Sequence, residues 1–215
     1  MRFRLLLVLV LVAASAAFAA DIPVNNPSFE NSGGTLVNPC GGSCLYGFGV
    51  EQWSTSGIAG ILQPGAPYPD GWFNYVPDGQ NVAYADSGRE NGIIYQDVGT
   101  TMPGVAYTLQ VDFGWEFTRA YPTQFAYLVI GGNPVVATGV DPTQGNWSTF
   151  TATYQGGPGG LPIRIQLGIA AGTEAVFDNV RLSDGLSSSA PEPTGLILLG
   201  SGLGLVPLLR RRFLF

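Results

Sequence analysis

Between Ile22 and Ser183 apolar and polar positions alternate with a period of two, not the 3.6 of a helix. In "VAYTLQVDFGW" the apolar side chains fall at Val105, Tyr107, Leu109, Val111 and Phe113; "STFTATY" (148–154) and "IRIQLGI" (163–169) repeat the habit. "AVFDNVRLS" sets Val176, Asp178, Val180 and Leu182 in one phase against Phe177 and Asn179 in the other. Successive side chains of a strand point to opposite faces, so these runs predict half-buried strands. Turn chemistry separates them at "NNP" (25–27), "GGNP" (131–134), "DPTQGN" (141–146) and "GGPGGLP" (156–162). Two "PDG" copies, at 69–71 and 77–79, predict the two tips of one hairpin around "WFNYV". Trp53 and Trp147 sit inside strand-like runs and are assigned to the core. No stretch between 20 and 185 keeps a helical stripe for three turns. The expectation is one all-β domain of antiparallel strands, a sandwich or barrel.

Both ends break this pattern. Residues 1–19 carry Arg2 and Arg4, an unbroken apolar run from Leu5 to Val12, and Ala17-Phe18-Ala19, which reads as a cleaved secretory signal peptide. At the other end Thr194–Leu209 holds no charge and Arg210, Arg211 and Arg212 come directly after it. Sixteen helical residues span about 24 Å, short of a hydrocarbon core of roughly 30 Å, so the expected transmembrane helix is a marginal anchor. Residues 186–190, small and polar, form the expected linker between body and tail.

Charge narrows the function. The chain has no histidine, and all nine basic residues are arginines, five of which flank the ends. The body keeps four arginines against fourteen acids, so nucleic acid is excluded as a partner for want of a basic footprint. Without histidine or lysine, Ser-His-Asp, Cys-His, common zinc and Schiff-base chemistries are excluded too. A carboxylate pair is the generic catalytic option left, with Asp112 and Glu116, or Glu90 and Asp97, as the pairs adjacent in sequence. Sequence spacing does not place two carboxyls across a sugar, as a glycoside hydrolase needs, and the expectation is a carbohydrate-binding protein with no catalytic residues, with a purely structural matrix protein or a carboxylate-based glycoside hydrolase as the alternatives. Aromatics in turn-rich stretches, Tyr68, Trp72, Tyr75 and Trp115, with Arg119 beside them, are the candidate ligand-binding residues. Cys40 and Cys44, bracketing a Gly-Gly-Ser turn in an exported chain, are the expected local disulfide.

Two resemblances extend this. "NNPSFEN", "IIYQDVGTTMPGVAYTLQVDFGW", "NWSTFTATY" and "AVFDNVRLS" resemble the galactose-binding-like jelly rolls of carbohydrate-binding modules over most of 22–183. That resemblance implies a 20–185 jelly-roll β-sandwich with first and last strands close together, affinity for polysaccharide, and a structural calcium held by Glu30 and Asp178. Pro191-Glu192-Pro193, the apolar helix at 194–209 and the arginines at 210–212 resemble the PEP-CTERM sorting signal of bacteria, with "FLF" as an extra ending. Residues 191–215 then imply export, transient insertion in the inner membrane, an exosortase-type sorting enzyme as partner, and release or transfer to a cell surface or biofilm matrix.

Overall fold

The computed structural model describes residues 18–38, 44–65, 71–88 and 90–188. The chain divides into two units, 20–185 and a second made of 1–19 with 186–215; the apolar tail, the Pro-Glu-Pro tripeptide and the arginine cluster lie outside the described residues. The described residues hold strands and no helix. In chain order these are β1 (Phe18–Ile22), β2 (Leu45–Phe48), β3 (Ser54–Ser56), β4 (Ile58–Gln63), β5 (Val82–Asp86), β6 (Ile93–Thr100), β7 (Tyr107–Gly114), β8 (Thr123–Ile130), β9 (Asn133–Val136), β10 (Trp147–Tyr154), β11 (Pro162–Ala171) and β12 (Glu174–Ser188). A larger sheet runs β10-β7-β12-β5-β4-β2 with β1 beside β12, and a smaller one runs β3-β6-β11-β8-β9. From β2 onward the neighbouring strands of both sheets pair antiparallel, and the two sheets form the expected jelly-roll sandwich. The chain after β1 lies against the last strand, where the Val180 N–H donates to the Pro27 carbonyl at 2.9 Å.

Alternation fills the space between the sheets. Tyr107, Leu109, Val111 and Phe113 of β7 and Ile163, Ile165, Leu167 and Ile169 of β11 are all at most 1% exposed in one apolar cluster. Phe113 stacks on Phe150 and meets Phe177 edge-on, geometries that add to the burial of the rings. Trp53 joins this core and donates its indole N–H to the Asn25 carbonyl at 2.9 Å.

The last strand departs from the single phase expected of it. Val176 and Phe177 are both buried, Phe177 between the sheets and Val176 in a second apolar cluster on the other side of the larger sheet. The register against β7 then slips between Asp178 and Arg181, with Asn179 in the left-handed region at φ 52°, and Val180 and Leu182 fall into the inter-sheet core. A bulge adds one residue to one strand and so reverses the facing of the residues beyond it.

A second correction concerns 71–80. No strand forms there, so the hairpin around "WFNYV" is absent. Phe73, completely buried, packs on Trp147 at 4.8 Å between ring centres, with Trp72 and Val76 against the same cluster. Two large rings gain more by covering the sheet than a two-stranded ribbon gains by pairing. Trp147 is buried as expected, but in this outer cluster and not between the sheets.

Candidate functional site

The outer face of the larger sheet, under the loops, is where polar chemistry collects. Three loops are laced together through their backbones: Asn74 N–H to the Gly145 carbonyl (2.9 Å), Phe117 N–H to Trp72 (3.0 Å), Trp115 N–H to Asn146 (3.1 Å) and Gly145 N–H to Trp115 (2.6 Å). Gly145, at φ 78°, lies directly under the Phe117 ring, which leaves no room for a Cβ. The loops thereby hold Trp72, Glu116 and Arg119 over the strands. The strands supply Tyr46 from β2, Tyr84 from β5 and Glu174 from the first position of β12, where it pairs with Asp86.

Glu116 and Glu174 are 3% and 4% exposed. Arg119 Nε lies 3.0 Å from Glu116 and its Nη2 3.8 Å from Glu174. The Tyr46 hydroxyl donates to Glu174, 2.9 and 3.1 Å from its two oxygens, while both Glu116 oxygens are buried and accept no hydrogen bond. Tyr46 packs edge-on against Tyr84 at 5.0 Å and tilts against Trp72 at 5.9 Å; the Arg119 guanidinium lies 5.6 Å from the Trp72 ring centre.

One cation therefore faces two buried acids. Burial first, then the charge of Glu174, pushes the Glu116 carboxyl up to about 9, against the pull of Arg119. Burial raises Glu174 as well, but Arg119, Glu116 and the Tyr46 hydroxyl all favour its ionised form. Both carboxyls are raised, so the pair holds on to a proton under conditions where ordinary glutamates have lost theirs. Tyr46 is raised by burial and by Glu174, Tyr84 is raised to about 12 for the same reasons, and both keep their protons. Arg119, despite burial, is raised by the two glutamates and stays charged.

Of the expected ligand-binding residues, Trp72 and Arg119 meet in this site. Trp115 supports it by donating its indole N–H to the Arg119 carbonyl at 2.8 Å. Tyr75 is 49% exposed and contributes its carbonyl to Trp147; Tyr68 lies outside the described residues. Neither carboxyl pair adjacent in sequence forms. Asp112 accepts from Thr149 (2.5 Å) and Asn179 (2.9 Å), Glu90 is exposed, and Asp97 pairs with Arg164 at 2.7 Å on the surface. Tyr46 and Glu174, 128 residues apart, are not visible as site residues in the sequence because neither has a neighbour along the chain that marks it.

Glu30 and Asp178 do converge, on the turn at 78–81. Glu30 accepts from the N–H groups of Gln80 (2.9 Å) and Asn81 (2.8 Å), and Asp178 from those of Asp78 (3.0 Å) and Asn179 (2.7 Å). Burial raises Asp178 to about 8, against these two hydrogen bonds. The oxygens suit a hard cation and the buried Asn81 Oδ1 accepts no hydrogen bond, yet no group of three His, Cys, Asp or Glu side chains gathers to hold a metal among the described residues. Cys44 is buried and disulfide-bonded, and Cys40 lies outside the described residues.

The model of the HpiC1-like family, described as HpiC1 cyclase, matches residues 20–183. The chain belongs to the HpiC1-like family. This corrects the expectation of a protein without catalytic activity: the family is one of cyclases. Absence of histidine and lysine removed the familiar nucleophiles, but it left open a carboxyl pair assembled by the fold. Among solved structures, a cyclase from Fischerella sp. TAU shares the fold, with a TM-score of 0.62 at 22% identity over 80% of this chain and 100% of that one. The TmCBM61 structure in complex with beta-1,4-galactotriose gives 0.46 at 15% identity, over 76% of this chain and 97% of the other. The CBM22-1 xylan-binding domain from Paenibacillus barcinonensis gives 0.43 at 11%, over 83% and 100%. A search of the curated proteins finds no match.

Proposed function

We propose that the chain is a cyclase that closes a ring in an apolar substrate by proton transfer at the Glu116–Glu174 pair. The observation that carries this reading is geometric: two buried carboxyls, Glu116 and Glu174, share the one Arg119 guanidinium beside Trp72, Tyr46 and Tyr84, and burial raises the Glu116 carboxyl. Glu116 is the acid: its proton passes to an unsaturated carbon or a carbonyl oxygen of the substrate. An internal nucleophile attacks the electron-poor carbon so produced and forms the ring bond; the proton then lost from the ring goes to the carboxyl pair. The sum is an isomerisation, which needs no oxidant and no second substrate. Tyr46 holds Glu174 in orientation, and the faces of Trp72 and Tyr84 favour positive charge near them.

Turnover of apolar arene-alkene probes in deuterated water tests it. Ring-closed product carrying solvent deuterium is expected from the native chain, and Glu116→Gln is expected to slow closure by roughly 100-fold or more. Closure unchanged in both Glu116→Gln and Glu174→Gln contradicts the reading.

A second reading, polysaccharide binding, is favoured by the exposed Tyr75 ring beside the amides of exposed Asn74 and half-buried Asn146, which bond each other at 3.0 Å. Retention on polysaccharide affinity gels, lost in Tyr75→Ala, supports it. Calcium held by Glu30 and Asp178 is part of the same proposal, supported by the unpartnered Asn81 Oδ1. Calcium then raises the melting temperature of the native chain and not of Glu30→Gln.

Export and sorting complete the proposal, on the leader at 1–19 and the Pro191-Glu192-Pro193 tail. Alanine at those three positions is expected to stop exosortase-dependent processing and leave the chain at the inner membrane.

A further inference from the structure

Arg119 occupies an unusual position for a structural arginine. Its guanidinium lies near two acids and over an indole: Glu116 at 3.0 Å, Glu174 at 3.8 Å and the Trp72 ring centre at 5.6 Å. Tyr46 closes the same space, its ring 5.9 Å from Trp72 and its hydroxyl on Glu174. A guanidinium is a flat, delocalised and weakly hydrated cation, and acids opposite an aromatic face are the groups that bind such ions. Its own anchoring is at the edge. The Arg119 side chain is 31% exposed while those of Glu116 and Glu174 are 2% and 3%, so Arg119 reaches solvent where the two acids do not and can swing away while they stay buried. If it leaves, the pair, which shares one proton, keeps a buried negative charge without its cation, a costly state unless another positive charge replaces it.

We infer that this acid–aromatic cage is a binding subsite for a weakly hydrated organic cation, a place that the Arg119 guanidinium fills at rest. The inference rests on the cyclase reading for its use, since it locates the positive charge that develops during ring closure at Trp72, Tyr46 and the two glutamates. Binding itself requires no turnover.

The test is equilibrium binding to the whole chain of benzyltrimethylammonium and of its neutral isostere neopentylbenzene, monitored by tryptophan fluorescence. Arg119→Ala is expected to bind the cation at least tenfold more tightly than the native chain does, with no comparable gain for neopentylbenzene. Adding Trp72→Leu to that variant is expected to abolish the gain. Equal gains for cation and isostere, or no gain in a variant that melts normally, overturn the inference. Should Arg119→Ala melt early, benzyltrimethylammonium must raise its melting temperature more than sodium at equal ionic strength, and failure to do so overturns it equally. A failed cation experiment leaves deuterium incorporation by the native chain untouched, and a failed deuterium experiment leaves cation binding to be measured, so the two ideas fall separately.

Discussion

On its inner side the larger sheet presents Leu109, Val111, Phe113 and Phe177, each at most 1% exposed, to an apolar interior. On its outer side the same strands carry Asp112, Glu174, Val176 and Asp178, all buried, with Val176 in the aromatic cluster of Phe73 and Trp147. The inner face needs nothing beyond close packing. The outer face holds carboxyls away from water, and Glu116 above it has a single arginine to share with Glu174, which costs stability; an arrangement that costs stability and persists is where function is to be sought. Inner residues make the fold; outer residues use it.

The contrast breaks most visibly on the inner side. Phe177→Ala leaves a hole among Phe113 and the opposing sheet, and is expected to destabilise the chain by about 3–5 kcal/mol in denaturant unfolding, without changing which proton sites titrate near neutral pH. Next comes the outer face. Glu116 is raised to about 9 and Asp178 to about 8, so the folded chain binds protons that the unfolded chain has released above about pH 4.5. Stability is then full in mild acid and falls as pH rises through the window from about 4.5 to 9, by at least about 2 kcal/mol. Glu116→Gln, a neutral isostere, should flatten much of that slope while leaving the low-pH melting temperature in place. Smallest is the surface pair of Asp97 with Arg164, in which hydrogen bonding to Arg164 holds the Asp97 carboxyl below the usual carboxylate range. Both side chains are substantially exposed, at 61% and 40%, and Asp97→Asn should cost no more than about 0.5 kcal/mol.

Legibility in the sequence divides along the same line. The inner face repeats every second residue, so β7, β10 and β11 are readable from "VAYTLQVDFGW", "STFTATY" and "IRIQLGI", and the sandwich with them. The slip at Asn179 is not, because "AVFDNVRLS" fits one phase as well as two until Val176 is seen to have its own cluster outside the sheet. Trp72 and Arg119 are readable as aromatic and basic residues in turns. The partnership of Glu116 with Glu174 is not: the residues are 58 positions apart, one in a loop and one opening a strand, and three-loop lacing through backbone groups leaves no side-chain signature. Proximity along the chain points instead to Asp112 and Asp97, which the fold turns toward Thr149 and Arg164.

One proton is expected on the Glu116–Glu174 pair at neutral pH. Carbon-13 NMR of side-chain carboxyls in glutamate-labelled protein, titrated from pH 4 to 10, reads it directly. A single glutamate carboxyl titrating near 9, present in the native chain and missing from Glu116→Gln, is the predicted result. All glutamates titrating together near the ordinary value of 4.5 would contradict it.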